Sequence, residues 1–393
     1  MPDRSNRKPW NESIFAFVVC LGFIYGTQVL ASTYSRNVIT QIERNFGKNS
    51  GFAGTISMAY NIGATLCLIL LASGVVYRLK NRPKAIAAAS CIAVLGQAIC
   101  AMPKFLGNTY DPYLTTNKAV TVDKTTKLLT ASTQYLCTNE TLDLCERNIH
   151  DQKNEPWYGD MGLEICFLIG EFLMGFGVSV LMPLGYSYID DYAPQEKTAL
   201  YYSIIGASVT SGFFISSLFG ALIASVWVEW PNRPPSDMTT DSPNWVGAWW
   251  IGYCIWTLLS FLAMLPMLKF PVSMAKESEE DVTESKKLLQ SVNDGIPMWR
   301  KWGRVFSNLT VVCLISHYII ESYAYIGFFV PKYYEQHFGL KISDAQLIGS
   351  TVRVPFSIVG QILGGLLFSK VFKLNAQTAK LPCKVDKHTN EIS

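Results

Sequence analysis

The chain has 393 residues, of which 49% are hydrophobic and 16% are charged, and its formal net charge at pH 7 is +3. Soluble domains usually carry about 25% charged residues, and the mean hydropathy here is +0.20. The small net charge gives no basic footprint for a nucleic-acid partner. The low charged fraction argues against a cytosolic enzyme and against a disordered protein, so the composition indicates a protein embedded in the lipid bilayer.

Eight apolar windows are long enough to cross the hydrocarbon core, which a helix of about 20 residues can span. Within lipid such segments must be helical, because a helix satisfies its own backbone polar groups. We therefore predict an all-α polytopic membrane protein, with spans at residues 14–34, 52–77, 85–103, 162–189, 198–228, 246–268, 306–330 and 345–368.

The Lys and Arg residues predict the orientation, because cytoplasmic loops are enriched in them. With the N-terminus inside, the cytoplasmic segments hold 20 of these residues and the outer segments hold 12. Residues 78–84 are the clearest signal, with four cations and no acid. We expect the N-terminus 1–13, the linker 269–305 and the polar tail 369–393 to be cytoplasmic. The linker then separates a six-span part, 14–268, from a two-span part, 306–368.

The long polar stretch 107–160 lies outside the cell in this orientation. It contains Cys137 and Cys145, with the glycosylation sequon of Asn139 between them. Disulfides persist in oxidising compartments, and a sequon implies a secreted or surface loop. We expect a disulfide between the two cysteines and a glycan on Asn139; the alternative is a pair of free thiols.

Ionisable side chains inside spans are candidate substrate-binding residues, because a charge within the membrane is costly. Arg353 lies in the eighth span, and its planar guanidinium suits a carboxylate or sulfate; an internal ion pair is the alternative. Glu171 and Glu321 are the candidate acids. His317 lies one helical turn before Glu321, a spacing that serves a proton relay or a packing pair. Lys104 can snorkel to the headgroups or attract an anion at the outer boundary.

Two interpretations of Glu171 stay open. It can form an ion pair across a central cavity in one conformation only, as a residue that controls the change between two conformations must do. It can also be a water-facing acid in that cavity.

Small residues recur four apart in three spans, which lets helices approach one another closely. These ridges are Gly22-xxx-Gly26, Gly212-xxx-Ser216-xxx-Gly220 and Gly360-xxx-Gly364.

The start of the sixth span reads Asn-Trp-Val-Gly-Ala-Trp-Trp-Ile-Gly, and it resembles the signature of the organic anion transporting polypeptide family. An asparagine stands where that signature has arginine. The three tryptophans lie where interfacial anchoring is a sufficient explanation. Two further blocks, residues 39–46 and 183–191, also resemble the family and follow its order. The signature residues that match are Trp245, Gly247, Ala248, Trp249, Trp250 and Gly252.

The resemblance implies a major facilitator fold, in which two six-span halves surround a substrate site at the midplane. We expect a complete N-terminal six-helix half plus the first two helices of the second half, with the chain truncated after about eight of twelve spans. It further implies sodium-independent transport of amphipathic organic anions by alternating access at the plasma membrane. The substrate classes are bile salts, steroid conjugates, prostaglandins and thyroid hormones. The alternative is a transport-inactive short form that associates with and modulates a full-length relative.

The sequence lacks the phosphate-binding loop, the zinc-protease motif and the nucleophile elbow. We therefore predict no enzyme activity, no cofactor and no metal site. Many members of the family have a histidine near the outer end of the third span and a basic residue in the fourth, where this chain has Lys104 and Met174. The missing histidine argues against bicarbonate as a counter-anion.

Overall fold

The computed structural model is almost entirely helical over the residues it describes. Its helices are α1 (Ile14–Asn37), α2 (Ile39–Phe46), α3 (Ser50–Leu70), α4 (Arg82–Leu106), α5 (Met161–Tyr192), α6 (Gln195–Ala224), α7 (Trp249–Met264), α8 (Leu309–Ala324), α9 (Val330–Phe338) and α10 (Ile342–Lys370). The described residues are 12–48, 50–75, 81–107, 110, 161–236, 238–240, 242, 244–274, 300, 302–303, 306–324, 330–340 and 342–370.

Six helical segments in the described residues are long and apolar enough to cross a membrane. They are Ile14–Asn37, Gly51–Ser73, Arg82–Leu106, Leu163–Tyr192, Glu196–Ala224 and Trp249–Lys269. These correspond to the first six predicted spans. The seventh predicted span contains α8, which has 16 residues, and the eighth contains α10, whose apolar part is Val354–Leu367. The α8 helix is thus shorter than the first six segments, and the apolar part of α10 is shorter than any of them.

Local sequence explains several helix ends. The α4 helix begins after Asn81, whose side-chain Oδ1 accepts a hydrogen bond from the backbone N–H of Lys84 at 3.2 Å, and Pro83 occupies the first turn. Both features are favourable at a helix N-terminus. The α2 helix ends at Gly47, whose φ of 60° lies in the left-handed region that glycine adopts readily.

Each of the six long helices packs against at least one other helix. The α1 helix lies against α6 and α7, α5 lies between α3 and α4, and α10 packs along α6. Two of the predicted small-residue ridges are contact surfaces, since an added Cβ at Gly26 would meet the Ser208 backbone and one at Gly212 would meet the Gly26 backbone.

The third predicted ridge, Gly360-xxx-Gly364, is not the surface that packs against another helix. A Cβ added at Gly360 or at Gly364 meets nothing within 4 Å, whereas Gly365 lies against the Ser203 side chain. The contact between α10 and α6 therefore uses the face one residue further along the helix. Gln361 also donates from Nε2 to Thr210 Oγ1 at 2.8 Å on this face.

The buried core has two parts, one at each end of the bundle. One part surrounds the start of α1 and includes Phe17 and Tyr188. The other surrounds the end of α1 and includes Trp227, Trp245 and Trp249, and we call it the tryptophan end. The segment between α6 and α7 folds onto this end through an isolated antiparallel bridge between Trp227 and Gly247.

Candidate functional site

Four half-buried tyrosines form a row across four of the long helices. They are Tyr25 of α1, Tyr60 of α3, Tyr186 of α5 and Tyr202 of α6. Tyr25 lies near both Tyr60 and Tyr186. The rings of Tyr186 and Tyr202 lie 4.4 Å apart between centroids. We call these four residues the tyrosine row, and their half-buried side chains offer aromatic faces and hydroxyl groups.

Arg36 lies at the tryptophan end of this row. It belongs to the last turn of α1 and is half-buried. Its guanidinium carbon lies 5.6 Å from the centroid of the Tyr60 ring. A cation held over an aromatic face in this way is attracted by the ring quadrupole, so the ring of Tyr60 helps to fix the guanidinium in place.

Glu171 is the neighbouring acid, and it is buried, with only 3% of its surface exposed. Its Oε1 accepts a hydrogen bond from the Ser35 hydroxyl, and Ser35 in turn accepts one from the Tyr253 hydroxyl at 2.9 Å. The carboxyl group also interacts electrostatically with Arg36. The chain of hydrogen bonds therefore joins α5, α1 and α7 beside the cation.

This position of Glu171 differs from the predicted water-facing acid. The side chain points into the bundle, where Ser35 supplies the hydrogen bond that a buried carboxyl needs and Tyr253 in turn donates to Ser35. Its candidate role in substrate binding stays a prediction.

Together, Arg36 and the tyrosine row have the chemistry that an amphipathic anion requires. A guanidinium recognises a carboxylate or sulfate through paired hydrogen bonds, and the tyrosine rings provide apolar surface with polar tips. The sequence analysis missed Arg36 because the apolar window was ended at Tyr34, whereas the helix continues to Asn37. The tyrosines share no motif, since each comes from a different helix.

Lys104 is held by an ion pair. Its Nζ lies 2.5 Å from Glu229 Oε1, and the two side chains are 15% and 13% exposed. The same carboxylate oxygen accepts a hydrogen bond from the backbone N–H of Tyr110 at 2.8 Å. Lys104 therefore ties the end of α4 to the segment between α6 and α7, an arrangement that neither predicted interpretation included.

A second ion pair joins the start of α4 to the end of α5. The Arg82 guanidinium lies 2.5 Å from Asp191 Oδ2 and donates to the Ser187 carbonyl at 3.1 Å. Asp190, beside it, accepts a hydrogen bond from the Tyr202 hydroxyl at 2.5 Å. Arg82, the first residue of α4, is thus anchored to the end of α5 by Asp191 and the Ser187 carbonyl.

The signature residues have packing roles at the tryptophan end. The Trp245 indole N–H donates to the Ala224 carbonyl at 2.8 Å, and the Trp250 indole donates to the Val228 carbonyl at 2.9 Å. Trp249 is fully buried, and its carbonyl accepts a hydrogen bond from the Tyr34 hydroxyl at 2.7 Å.

The signature glycines and alanine complete this packing. A Cβ added at Gly247 would meet Ala224, and one at Gly252 would meet the Tyr34 ring. Ala248 is fully buried. Interfacial anchoring, the predicted explanation, is therefore wrong for Trp249, whose fully buried ring packs against Phe46 of α2 and Phe167 of α5.

The other predicted site residues lie in less described parts of the chain. His317 is exposed on α8. Glu321 and Arg353 belong to α8 and α10, but their side chains are outside the described residues. Cys137, Cys145 and Asn139 lie in a segment outside the described residues, so the disulfide and the glycan stay predictions.

The sequence matches the model of the Organic Anion Transporter Polypeptide (OATP) family over residues 16–385. The chain is 30% identical over 390 residues to solute carrier organic anion transporter family member 1A4 of Mus musculus, covering 94% of this chain and 55% of that protein. It is 27% identical over 398 residues to member 1C1 of Homo sapiens, covering 94% of this chain and 54% of that protein. The chain therefore spans about half the length of these curated relatives.

The fold resembles that of a D-xylose–proton symporter of known crystal structure. The TM-score is 0.51 at 13% sequence identity, with 88% of this chain and 67% of the symporter covered. The likeness shows the major facilitator fold, as the sequence resemblance predicted. The family and the fold are those of transporters rather than enzymes. On the family match and the similarity to its members, the chain belongs to the organic anion transporter polypeptide family.

Proposed function

We propose that this chain transports amphipathic organic anions across the plasma membrane by alternating access and without sodium. The observation that carries the proposal is Arg36 beside the tyrosine row, in a chain of this family. A cation next to aromatic surface suits a molecule with an acidic group on an apolar skeleton. Bile salts, steroid conjugates, prostaglandins and thyroid hormones all have that construction.

The proposed arrangement in the membrane follows the predicted segments. The six-span half, 14–268, and the partial second half, 306–368, are joined by a cytoplasmic linker, 269–305. Both termini lie in the cytoplasm, which the distribution of Lys and Arg supports. Residues 107–160 are extracellular, with the Cys137–Cys145 disulfide and the Asn139 glycan.

A direct test is uptake of a radiolabelled steroid sulfate by cells that express only these 393 residues. We expect saturable uptake above that of mock-transfected cells, and equal uptake when choline replaces sodium in the medium. Uptake equal to that of mock-transfected cells, with the chain present at the surface, would refute the proposal. A requirement for sodium would refute only the sodium-independent part.

The alternative function is modulation of a full-length relative by a transport-inactive short form, and the comparisons give it no support. The uptake experiment separates the two functions when a full-length relative is co-expressed. Transport by the chain alone supports the first. A change in the relative's uptake without transport by the chain supports the second.

Arg353 is proposed as a second cation for the substrate, contributed by the partial second half. We expect Arg353→Ala to lower steroid sulfate uptake while surface expression persists, because the variant removes a permanent positive charge from a membrane-spanning helix. Surface biotinylation is the control for expression. Unchanged uptake by Arg353→Ala would remove this residue from the substrate site.

A further inference from the structure

We propose that residues 299–306, which we call the basic aromatic segment, form a binding surface for an acidic phospholipid of the phosphatidylserine class in the inner leaflet. The inference goes beyond the proposed function, because it concerns the membrane surface rather than the transported anion. From the proposed arrangement it takes only the cytoplasmic position of the linker 269–305. It does not depend on whether the chain transports an anion.

The charges of the linker are divided between its two parts. Residues 276–294 contain six acids and three cations. The basic aromatic segment contains three cations, Arg300, Lys301 and Arg304, and the next acid along the chain is Glu321 in α8. The basic part of the linker is therefore the part that adjoins the seventh predicted span. Lys and Arg residues immediately cytoplasmic of a span are attracted by the acidic lipids of that leaflet.

Aromatic residues alternate with these cations at helical spacing. Trp299, Trp302 and Phe306 are three and four residues apart, so they share one face of a helix with about 3.6 residues per turn. The three cations fall on the opposite face of such a helix. Aromatic and basic residues separated in this way are typical of helices that lie in the membrane–water interface.

The described residues of the segment agree with this pattern. Arg300, Trp302, Gly303 and Phe306 are helical. The rings of Trp302 and Phe306 stack, with their centroids 6.0 Å apart and their planes inclined by 26°. Ser307 closes the last turn, since its backbone N–H and its hydroxyl both donate to the Gly303 carbonyl, at 3.0 Å and 2.7 Å. The two rings therefore form one continuous aromatic surface just before α8.

This aromatic surface is open to its surroundings. Trp302 is 41% exposed and Phe306 is 56% exposed, and Arg300 is exposed as well. A Cβ added at Gly303 would meet nothing within 4 Å, so no described part of the fold packs against that position. Exposed aromatic rings beside an apolar span are enriched at the level of the lipid headgroups. The bilayer surface is thus the partner that suits both rings.

The cations determine which lipid is preferred. The rings can enter the interface with any headgroup, because burial of apolar surface does not depend on headgroup charge. A zwitterionic headgroup has no net charge, whereas a phosphatidylserine headgroup has a net negative charge that attracts Lys and Arg. Each such residue near an acidic membrane surface contributes about a fivefold increase in affinity. The segment should therefore select phosphatidylserine over phosphatidylcholine.

The test is fluorescence quenching of Trp302 in the purified full chain, reconstituted in bilayers of phosphatidylcholine and phosphatidylserine. In one series the phosphatidylcholine has brominated acyl chains, and in the other the phosphatidylserine has them. Bromine quenches nearby indoles, and the difference between a chain and its Trp302→Phe variant isolates the signal of Trp302. We expect phosphatidylserine to be preferred at Trp302 by at least about tenfold. The preference should fall at high salt, because ions screen exposed charges.

The role of the cations is tested in the same bilayers. Arg300→Gln combined with Arg304→Gln should lower the preference by at least about fivefold. Arg300→Lys combined with Arg304→Lys keeps both charges and should retain it. The matched control is Lys84→Gln combined with Lys197→Gln, which removes two exposed cations from the first turns of α4 and α6 and should leave the preference unchanged. The melting temperature of each variant establishes that it is folded.

Three results would overturn the proposal. The first is equal quenching of Trp302 by the two brominated lipids. The second is a loss in the control as large as that in the doubly substituted segment, since the preference would then belong to the whole cytoplasmic face. The third is a Trp302 that neither lipid quenches, which would leave an acidic protein as the partner. None of these results depends on uptake of steroid sulfate, so failure here and failure of the proposed function are separate outcomes.

Discussion

Lys104 illustrates at the scale of one residue how a charge is accommodated at the end of an apolar helix. The pair with Glu229 is mostly shielded from water, and a shielded pair loses much when one partner is removed, because the other charge remains without compensation. The pair also connects parts of the chain that are 125 residues apart. Its main effect is therefore on the packing of the tryptophan end.

We predict a large coupling between these two residues. Lys104→Met or Glu229→Gln alone should lower the free energy of unfolding by about 1–3 kcal/mol, between the values for exposed and buried pairs. The double variant should lose less than the sum of the single losses, because neither charge is then left alone. Thermal or denaturant unfolding of the purified chain measures the cycle, and strictly additive losses would show that the pair contributes nothing.

Trp245 and Trp256 offer a second comparison at the scale of one residue. Both are buried, at 6% and 3% exposed. The Trp245 indole donates to the Ala224 carbonyl, whereas the Trp256 Nε1 is buried without a hydrogen-bond partner. Replacement by phenylalanine removes similar ring volume from each but removes a hydrogen bond only from Trp245.

Trp245→Phe should therefore destabilise the chain by about 1–3 kcal/mol more than Trp256→Phe, the cost of a buried carbonyl that loses its donor. The melting temperatures of the two purified variants provide the comparison. Equal losses of stability in the two variants would mean that the indole hydrogen bond of Trp245 does not stabilise the fold.

At the scale of helices, glycines in the sequence indicate that two helices approach closely, and the structure shows where they do so. A Cβ added at Gly63 of α3 would meet the Phe172 carbonyl and the Phe176 backbone nitrogen of α5, whereas one added at Gly54 meets nothing within 4 Å. Both glycines belong to the same helix, so their helix propensities are comparable.

Gly63→Ala should separate α3 from α5 and cost about 1–3 kcal/mol, as overpacking does. Gly54→Ala should be neutral or stabilising by up to about 1 kcal/mol, because alanine favours the helix. Unfolding of the two variants under identical conditions checks the contrast, and a loss at Gly54 equal to that at Gly63 would contradict the packing described here.

The sequence predicted the first six spans because each is a long run of apolar residues whose length matches the bilayer. It did not predict which face of α10 packs against α6. Gly365 rather than Gly364 faces α6, and composition carries no information on how a helix is rotated about its own axis. It missed Arg36 for a similar reason, because hydropathy ends a window at a charge even where the helix continues. Glu171 was identified as exceptional, but its burial depends on Ser35 and Tyr253, which are distant in sequence.

At the scale of the whole molecule, the described residues include a six-helix bundle with α10 packed along α6. Two ion pairs of the described residues lie at opposite ends of the bundle, with Arg82 and Asp191 at one and Lys104 and Glu229 at the other. The tyrosine row runs between them and meets Arg36 at the tryptophan end. The candidate site is thus built from the first half of the fold.

The central claim is that these 393 residues carry an organic anion through the membrane by alternating access. Counterflow in liposomes that contain only the purified chain tests it most directly, since no relative is present to transport in its place. With unlabelled steroid sulfate inside, we predict a transient accumulation of the labelled anion above its external concentration. This accumulation should be lost in Arg36→Ala. Label that never exceeds the level in empty liposomes, with the chain folded and inserted, would contradict the claim.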